Sequence, residues 1–307
     1  YLIARLTNGQ AFVTDASNAS RTQLLNLKTA DWDDELLELF QVPRNVLPKV
    51  VPSYGVVGTT QNFLGLSIPI SGIVGDQQAA LFGQTAFDIG DSKCTYGTGS
   101  FILYNTGNEL KISNQGLLTT IAWQEPNGTT TYALEGAVFV TGAAVQWLRD
   151  GLGIIKKATD VEELANSVES SEGVVFVPAL SGLGAPYWDP YARGAISGIT
   201  RGTTAAHIAR ATLEAIAFQV RDVVDAMAKD IAKPLGKLKV DGGASANNLL
   251  MQMQADALGV PVIRAKNVET TGIGAAFLAG LGTGVWKNKD ELRSSISIDR
   301  EFGPKQN

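Results

Sequence analysis

The sequence predicts an α/β or α+β architecture that binds its ligands at strand ends. Three observations carry that expectation. Clustered strand-like segments give way, in the second half, to alternating helices and strands. Glycine turns sit at strand ends in two places, between two strands at Tyr96-Gly97-Thr98-Gly99 and after an apolar strand at Val240-Asp241-Gly242-Gly243. Glycine is also abundant, at 33 of 307 residues, roughly 11% against a usual share of about 7%.

Taken in order, Leu2–Leu6 has the pattern of the last turns of a helix, closed by the turn pair Asn8-Gly9. Residues 11–14 read as a short strand and 15–20 as a polar loop. A helix is predicted over 29–40, with Asp31, Asp33 and Asp34 at the positive end of its dipole and Trp32, Leu36, Leu37 and Phe40 on its apolar side. Pro43 and Pro48 stop it, and 46–67 has an irregular pattern, uncharged at its centre. Ile68-Pro69-Ile70 and Ile73-Val74 then read as a buried strand that passes through Gly75-Asp76 into a helix opening at Gln77.

Past Gly90 the segments are more regular. Two strands are predicted within 92–105 around Gly97-Thr98-Gly99, and two more at 117–123 and 130–134. Helices follow at 141–148 and 161–168, then a strand at 174–177, a Gly/Pro/aromatic loop over 181–193 and a strand at 195–199. The longest helix covers 203–229 and carries Ile208, Ala211, Ala215, Phe218, Val223 and Met227 near one side. A strand at 238–240, a helix over 246–258, a strand at 262–263 and a small-residue helix over 270–282 complete the series.

Composition narrows the function. The balance of 25 basic to 30 acidic residues, a net charge of −5 without a basic tract, excludes a dedicated nucleic-acid or membrane-surface binder. A small neutral or anionic ligand fits better. With Cys94 the only cysteine there is no intramolecular disulfide, and with His207 the only histidine there is no multi-histidine metal site. Both point to a reducing, cytoplasmic setting. The uncharged stretch 50–75 is broken by Pro52, Gln61, Asn62 and Pro69, so it does not read as a membrane span. Residue 1 is Tyr1, and the methionines are Met227, Met251 and Met253, so the chain is expected to be part of a longer polypeptide.

Four places could carry chemistry. Asp76 stands where a strand ends at a glycine, a good position for a base that takes a proton from a hydroxyl attacking a phosphoryl group. Equally, Asp is a preferred N-cap, which would make it structural. Gln77 beside it could hydrogen-bond the same substrate. The Gly97-Thr98-Gly99 turn allows backbone N–H groups and the Thr98 hydroxyl to approach a phosphate, or it is an ordinary hairpin turn. Gly242-Gly243, followed by Ser245 and Asn247, either lets a nucleotide rest against the backbone or is a tight turn with Ser245 as its cap. Gly142 and Gln146, one helical turn apart, could contact a nucleotide, although close helix packing is the other use of that glycine. His207 reads as structural and Cys94 as a small buried hydrophobe. None of the GxxxxGK[ST], GxGxxG-plus-acid or HExxH patterns occurs.

Together these segments resemble the FGGY carbohydrate kinases, most closely their glycerol-phosphorylating members. The resemblance rests on residues 71–83 (SGIVGDQQAALFG), 96–99 (YGTG), 180–190 (LSGLGAPYWDP) and 240–244 (VDGGA). It rests also on the C-terminal signature: GAISGI at 194–199, then His207-Ile208 and Ala211-Thr212-Leu213-Glu214. It covers nearly the whole chain and implies an actin-like, ribonuclease-H-like two-domain ATPase fold. On that basis residues 1–85 are the remnant of the N-terminal substrate domain and 86–307 the nucleotide-binding C-terminal domain. The implied reaction is transfer of the ATP γ-phosphate to glycerol, giving sn-glycerol 3-phosphate and ADP, with Mg²⁺ as helper and no metal ligand assigned in this chain. By position Asp76 is the base, with Gln77 and Phe101 at the glycerol site. Gly97 and Thr98 match phosphate contacts, and Gly142, Gln146, Gly243 and Asn247 match nucleotide contacts.

The family's opening phosphate hairpin, its Arg-Glu pair and its glycerol-holding tyrosine find no match here. The expectation is therefore that this chain alone phosphorylates glycerol negligibly, and that an exposed half-domain over 1–84 invites self-association. Two other readings remain at this level: a noncatalytic nucleotide-binding module, and a kinase for another polyol or a pentulose.

Overall fold

The computed structural model describes residues 1–63 and 65–305; Leu64, inside the stretch expected to be irregular, and Gln306 and Asn307 lie outside the described residues. The N-terminal part runs through α1 (Leu2–Leu6), β1 (Val13–Asp15), α2 (Ala16–Ala19), β2 (Leu25–Asn26), β3 (Asp31–Trp32) and α3 (Asp34–Leu39). It continues through β4 (Lys49–Val51), β5 (Tyr54–Thr60) and β6 (Ile68–Gly72) to α4 (Asp76–Gly83). Its strands pair in twos, β1 parallel with β4, β2 antiparallel with β3, and β5 antiparallel with β6.

Several expectations fail in this part, each for a local reason. Residues 15–20 are not a loop: the Asp15 carboxylate accepts from the amides of Ser17 (2.9 Å) and Asn18 (3.0 Å) and so caps α2. The helix expected over 29–40 shrinks to α3. Ala30 takes a left-handed φ of 52°, Asp31-Trp32 pairs with Leu25-Asn26, and Asp33 becomes the cap. The strand expected at 11–14 lies at Val13–Asp15. The irregular stretch expected over 46–67 contains two strands, because Lys49–Val51 and Tyr54–Thr60 each find a partner. The strand expected to be buried at 68–74 is β6 alone, with Ile68 and Pro69 exposed on a two-stranded hairpin.

Beyond it come β7 (Ser92–Tyr96), β8 (Ser100–Gly107), β9 (Leu118–Gln124), β10 (Thr130–Val138), α5 (Gly142–Asp150) and α6 (Asp160–Asn166). Next are β11 (Val175–Val177), β12 (Ala195–Ser197), α7 (Ala205–Ile231), β13 (Leu238–Asp241), α8 (Asn248–Leu258) and β14 (Val262–Ala265). The series ends with α9 (Thr270–Thr283), α10 (Lys289–Arg293) and β15 (Ile298–Phe302). Each element expected after Gly90 is found within a few residues of its expected bounds; α10 and β15 are additions.

Seven of these strands form one mixed sheet in the order β15-β14-β13-β7-β8-β10-β9. The period-2 alternation of side chains divides its two faces. Cys94, Tyr96, Ile102, Tyr104 and Leu134 join a core with α7 and α8, while Leu103, Trp123 and Ala133 join Leu81 and Phe82 of α4 and Phe277 and Leu278 of α9. The result is a three-layer sandwich. Helix α7 is capped by Thr204, whose amide donates to His207 Nδ1 at 3.0 Å, so the lone histidine has the structural role expected of it. Cys94 is fully buried, also as expected.

Helices α4 and α9 meet backbone to backbone. A β-carbon on Gly274 would overlap the Ala79 carbonyl oxygen, and one on Gly83 would overlap that of Thr270. The small-residue composition of 270–282 thus has a packing reason, and α4 is held against the sheet with Asp76 at its leading end.

Candidate active site

Strands β7 and β13 are parallel neighbours, with Lys93 opposite Lys239, Cys94 opposite Val240 and Thr95 opposite Asp241. Both strands therefore end at the same edge, and the two glycine turns leave side by side. Strand carboxyl ends are where open α/β sheets bind ligands. A cleft of about 320 Å³ opens there, and Gly97, Thr98, Gly142, Gln146, Gly243 and Asn247 all line it.

The turn after β7 is fastened by helix α5. The amides of Thr141 and Ala143 donate to the Thr98 carbonyl (2.9 and 3.0 Å), and that of Gly142 donates to the Gly97 carbonyl (3.0 Å). A β-carbon on Gly142 would lie 2.6 Å from the Gly97 oxygen, so this glycine serves close packing as well as lining the cleft. In each turn one glycine is structural and one is open. Gly99 presses on the Val138 carbonyl, and Gly242 has φ 84° with its β-position 2.5 Å from the Tyr96 oxygen. By contrast, the β-position of Gly97 has only the Gly99 oxygen near, at 3.7 Å, and that of Gly243 has nothing within 4 Å.

The walls are apolar, from Val145, Val161, Leu213 and Leu250. Tyr96, also in the lining, is fixed by a 2.7 Å bond from its hydroxyl to Gln254 Oε1. Ser245, one of the expected caps, instead donates to the Gly242 carbonyl at 2.7 Å; Asn247 caps α8 by accepting from the Leu250 amide at 2.8 Å. Glu162, the carboxylate of the lining, accepts from the amides of Asn248 and Leu249 (3.1 and 3.3 Å) and is thereby engaged. A cavity with apolar walls and two uncluttered backbone turns suits a planar base with an anionic tail.

Asp76, Gln77 and Phe101 form a second group. The N-cap of α4 is Gly75, without a side-chain cap, and Asp76 is the first helical residue with an exposed side chain, so the capping alternative for Asp76 fails. Its Oδ1 accepts from the Gln77 amide at 2.8 Å, and Gln77 Nε2 stands 3.4 Å from its Oδ2. The strand end before it is pinned by Ser17 Oγ, which accepts from the Gly75 amide at 2.9 Å and donates to buried Asp15 at 2.6 Å. Beneath lies Lys93, fully buried, whose ammonium reaches Gln77 Oε1, Thr95 Oγ1 and the Phe101 carbonyl. Burial pushes its pKa down, against the pull of Asp241, Glu135 and Asp76. Burial likewise pushes the Glu135 carboxyl up, opposed by Arg21, which pairs with it at 2.9 Å.

The nucleotide-type residues thus share one cleft, and the acceptor-type residues share one cluster, joined through β7, which carries Lys93 and ends at the Gly97 turn. Sequence reasoning missed Lys93, Glu135 and Arg21. Glu135, a charge inside the apolar run 133–138, carried a signal; Lys93, between Ser92 and Cys94 with Thr95 beyond, carried none. Among the described residues no three His, Cys, Asp or Glu side chains converge as a metal cluster, and no helix is long and apolar enough to cross a membrane.

Comparison with known proteins gives consistent matches. The sequence model for the FGGY family of carbohydrate kinases, C-terminal domain, matches residues 92–283, and that for the N-terminal domain matches 1–83. A glycerol kinase of Bdellovibrio bacteriovorus is 58% identical over 98% of the chain, which covers 61% of that protein. Among solved structures, the Plasmodium falciparum glycerol kinase with ADP superposes with a TM-score of 0.91 at 39% identity, over 100% of this chain and 62% of that one. A ligand-bound xylulose kinase of Lactobacillus acidophilus gives a TM-score of 0.86 at 27% identity, over 99% and 62% respectively. The chain therefore spans about three-fifths of the length of the relatives it matches, 61% for the Bdellovibrio protein.

Proposed function

The chain belongs to the FGGY family of carbohydrate kinases, and from that premise we propose that its protein transfers the γ-phosphoryl group of ATP to glycerol, giving sn-glycerol 3-phosphate and ADP. The observation that carries the reading is the pairing of an open, apolar, glycine-turned cleft with an exposed carboxylate, Asp76, at the same end of one sheet. Similarity to proteins named glycerol kinase supports glycerol, rather than another polyol, as the acceptor.

In this reading the adenosine lies between Val145, Val161, Leu213 and Leu250, with Gln146 and Asn247 at its polar edge. The phosphates run over the Gly97-Thr98 turn and along Gly243, where no side chain obstructs them. Asp76 accepts the proton of the attacking glycerol hydroxyl as oxygen bonds to phosphorus and the bond to ADP breaks. Gln77 Nε2 donates to a hydroxyl oxygen of the same acceptor, and Phe101 supplies the apolar contact for the carbon backbone. Mg²⁺ neutralises phosphate charge in such reactions. The ion would be held mainly by the nucleotide's phosphates and by water, with at most one or two carboxylates, as Mg²⁺ commonly is. The same reading divides the chain near Thr85 into an acceptor part and a nucleotide part. It also puts the protein in the cytoplasm, where ATP is abundant and Cys94 stays reduced.

The test is ADP release by the complete gene product with glycerol, other polyols and xylulose as acceptors. Glycerol is expected to give the highest kcat/KM. A clear preference for xylulose would overturn the glycerol assignment and leave the kinase one standing.

A further inference from the structure

Lys93 has no part in the reaction as described, yet its position is costly. It is fully buried in β7, and its ammonium donates to Gln77 Oε1 at 2.5 Å, Thr95 Oγ1 at 2.9 Å and the Phe101 carbonyl at 3.3 Å. All three partners are neutral, and no carboxylate forms an ion pair with it among the described residues. A buried charge held by neutral acceptors is a poor device for stability, since an apolar side chain of similar volume avoids the desolvation altogether. Its three bonds, however, join the three segments of the acceptor side. Gln77 lies on α4 next to Asp76, Thr95 lies two residues before Gly97, and Phe101 is the second residue of β8, on the other side of the turn.

We propose that Lys93 is a positioning residue for the acceptor. By holding Gln77 Oε1 it fixes the orientation of the amide, so that Nε2 faces the Asp76 carboxylate rather than the sheet. By holding Thr95 and Phe101 it ties that pair to the strand leading into the phosphate turn. The acceptor hydroxyl and the phosphoryl group are thereby kept in one frame, and a misplacement of about 1 Å at such a point can cost on the order of 10²-fold in rate. The inference rests on the acceptor reading of Asp76 and Gln77 given above.

The experiment is Lys93→Met in the complete gene product, which keeps the length of the stem and removes the three donors. The kcat/KM for glycerol is expected to fall about 10- to 100-fold. The KM for ATP should stay unchanged, and the melting temperature should hold or rise, because the buried charge is gone. Combining it with Gln77→Leu should add little to the loss in glycerol kcat/KM, since the lysine acts through that amide. Unchanged glycerol kinetics, a rise in the KM for ATP as large as any rise in the KM for glycerol, or a variant that does not fold would each overturn the proposal, the last by showing that the lysine serves the fold. A wild-type protein that does not phosphorylate glycerol overturns the function proposed above together with this inference. An active wild type matched by its variant overturns the inference alone.

Discussion

The nucleotide cleft and the acceptor side lie at one end of one sheet, but they are built in opposite ways. The cleft is made by omission: the α-carbons of Gly97 and Gly243 face open space, and the turn is secured by amide-to-carbonyl bonds from the start of α5. The acceptor side is made by crowding. Buried Lys93 and Glu135 lie near the exposed carboxylate of Asp76, and Arg21 reaches in from the N-terminal segments. A site that admits a large anion needs room and backbone donors. A site that holds one proton acceptor steady needs its neighbours fixed.

The sharpest way to separate the two is Asp76→Asn. Loss of the base is expected to lower kcat by about 10²- to 10⁴-fold and to leave ADP affinity, measured by calorimetry, unchanged. Retention of most of the rate would remove Asp76 from that role. Within the cleft, Gly142→Ala should act on fold and ligand together. Its β-carbon would press on the Gly97 carbonyl, so stability should fall by about 1–3 kcal/mol, read as a lower melting temperature with weaker ADP binding. Gly243→Ala is the finer probe, because the protein itself leaves that space empty. The melting temperature should not move, while ADP binding weakens by about tenfold, ~1.4 kcal/mol. If ADP binds Gly243→Ala as tightly as wild type, the phosphates do not pass over that turn.

The same contrast governs what could be read from the sequence. The cleft was legible because glycine at the end of a strand is a local signal, and both turns were found where expected, with strand β8 after the first and helix α8 after the second. The refinement came from packing: which glycine of each pair is structural depends on Tyr96 and Val138, which belong to other elements. Lys93 was illegible, because its partners Gln77 and Phe101 come from a helix and a neighbouring strand, and a lysine within a strand carries no mark of burial. The N-terminal segments suffered differently. The Asp-rich run 31–34 favours a helix start, but which aspartate caps it was decided by strand pairing at Leu25–Asn26 and by Arg44, which bonds both Asp31 and Asp34.

The backbone contact between α4 and α9 has a mechanical consequence. Asp76 belongs by sequence to the region matched by the N-terminal family model, yet the helix it leads is seated on carbonyl oxygens of the helix behind the main sheet. No rotamer lies in that joint to be exchanged or to rattle. The carboxylate consequently keeps its station relative to the Gly97 turn, and the donor and acceptor sides stay in register through a joint made of main chain alone.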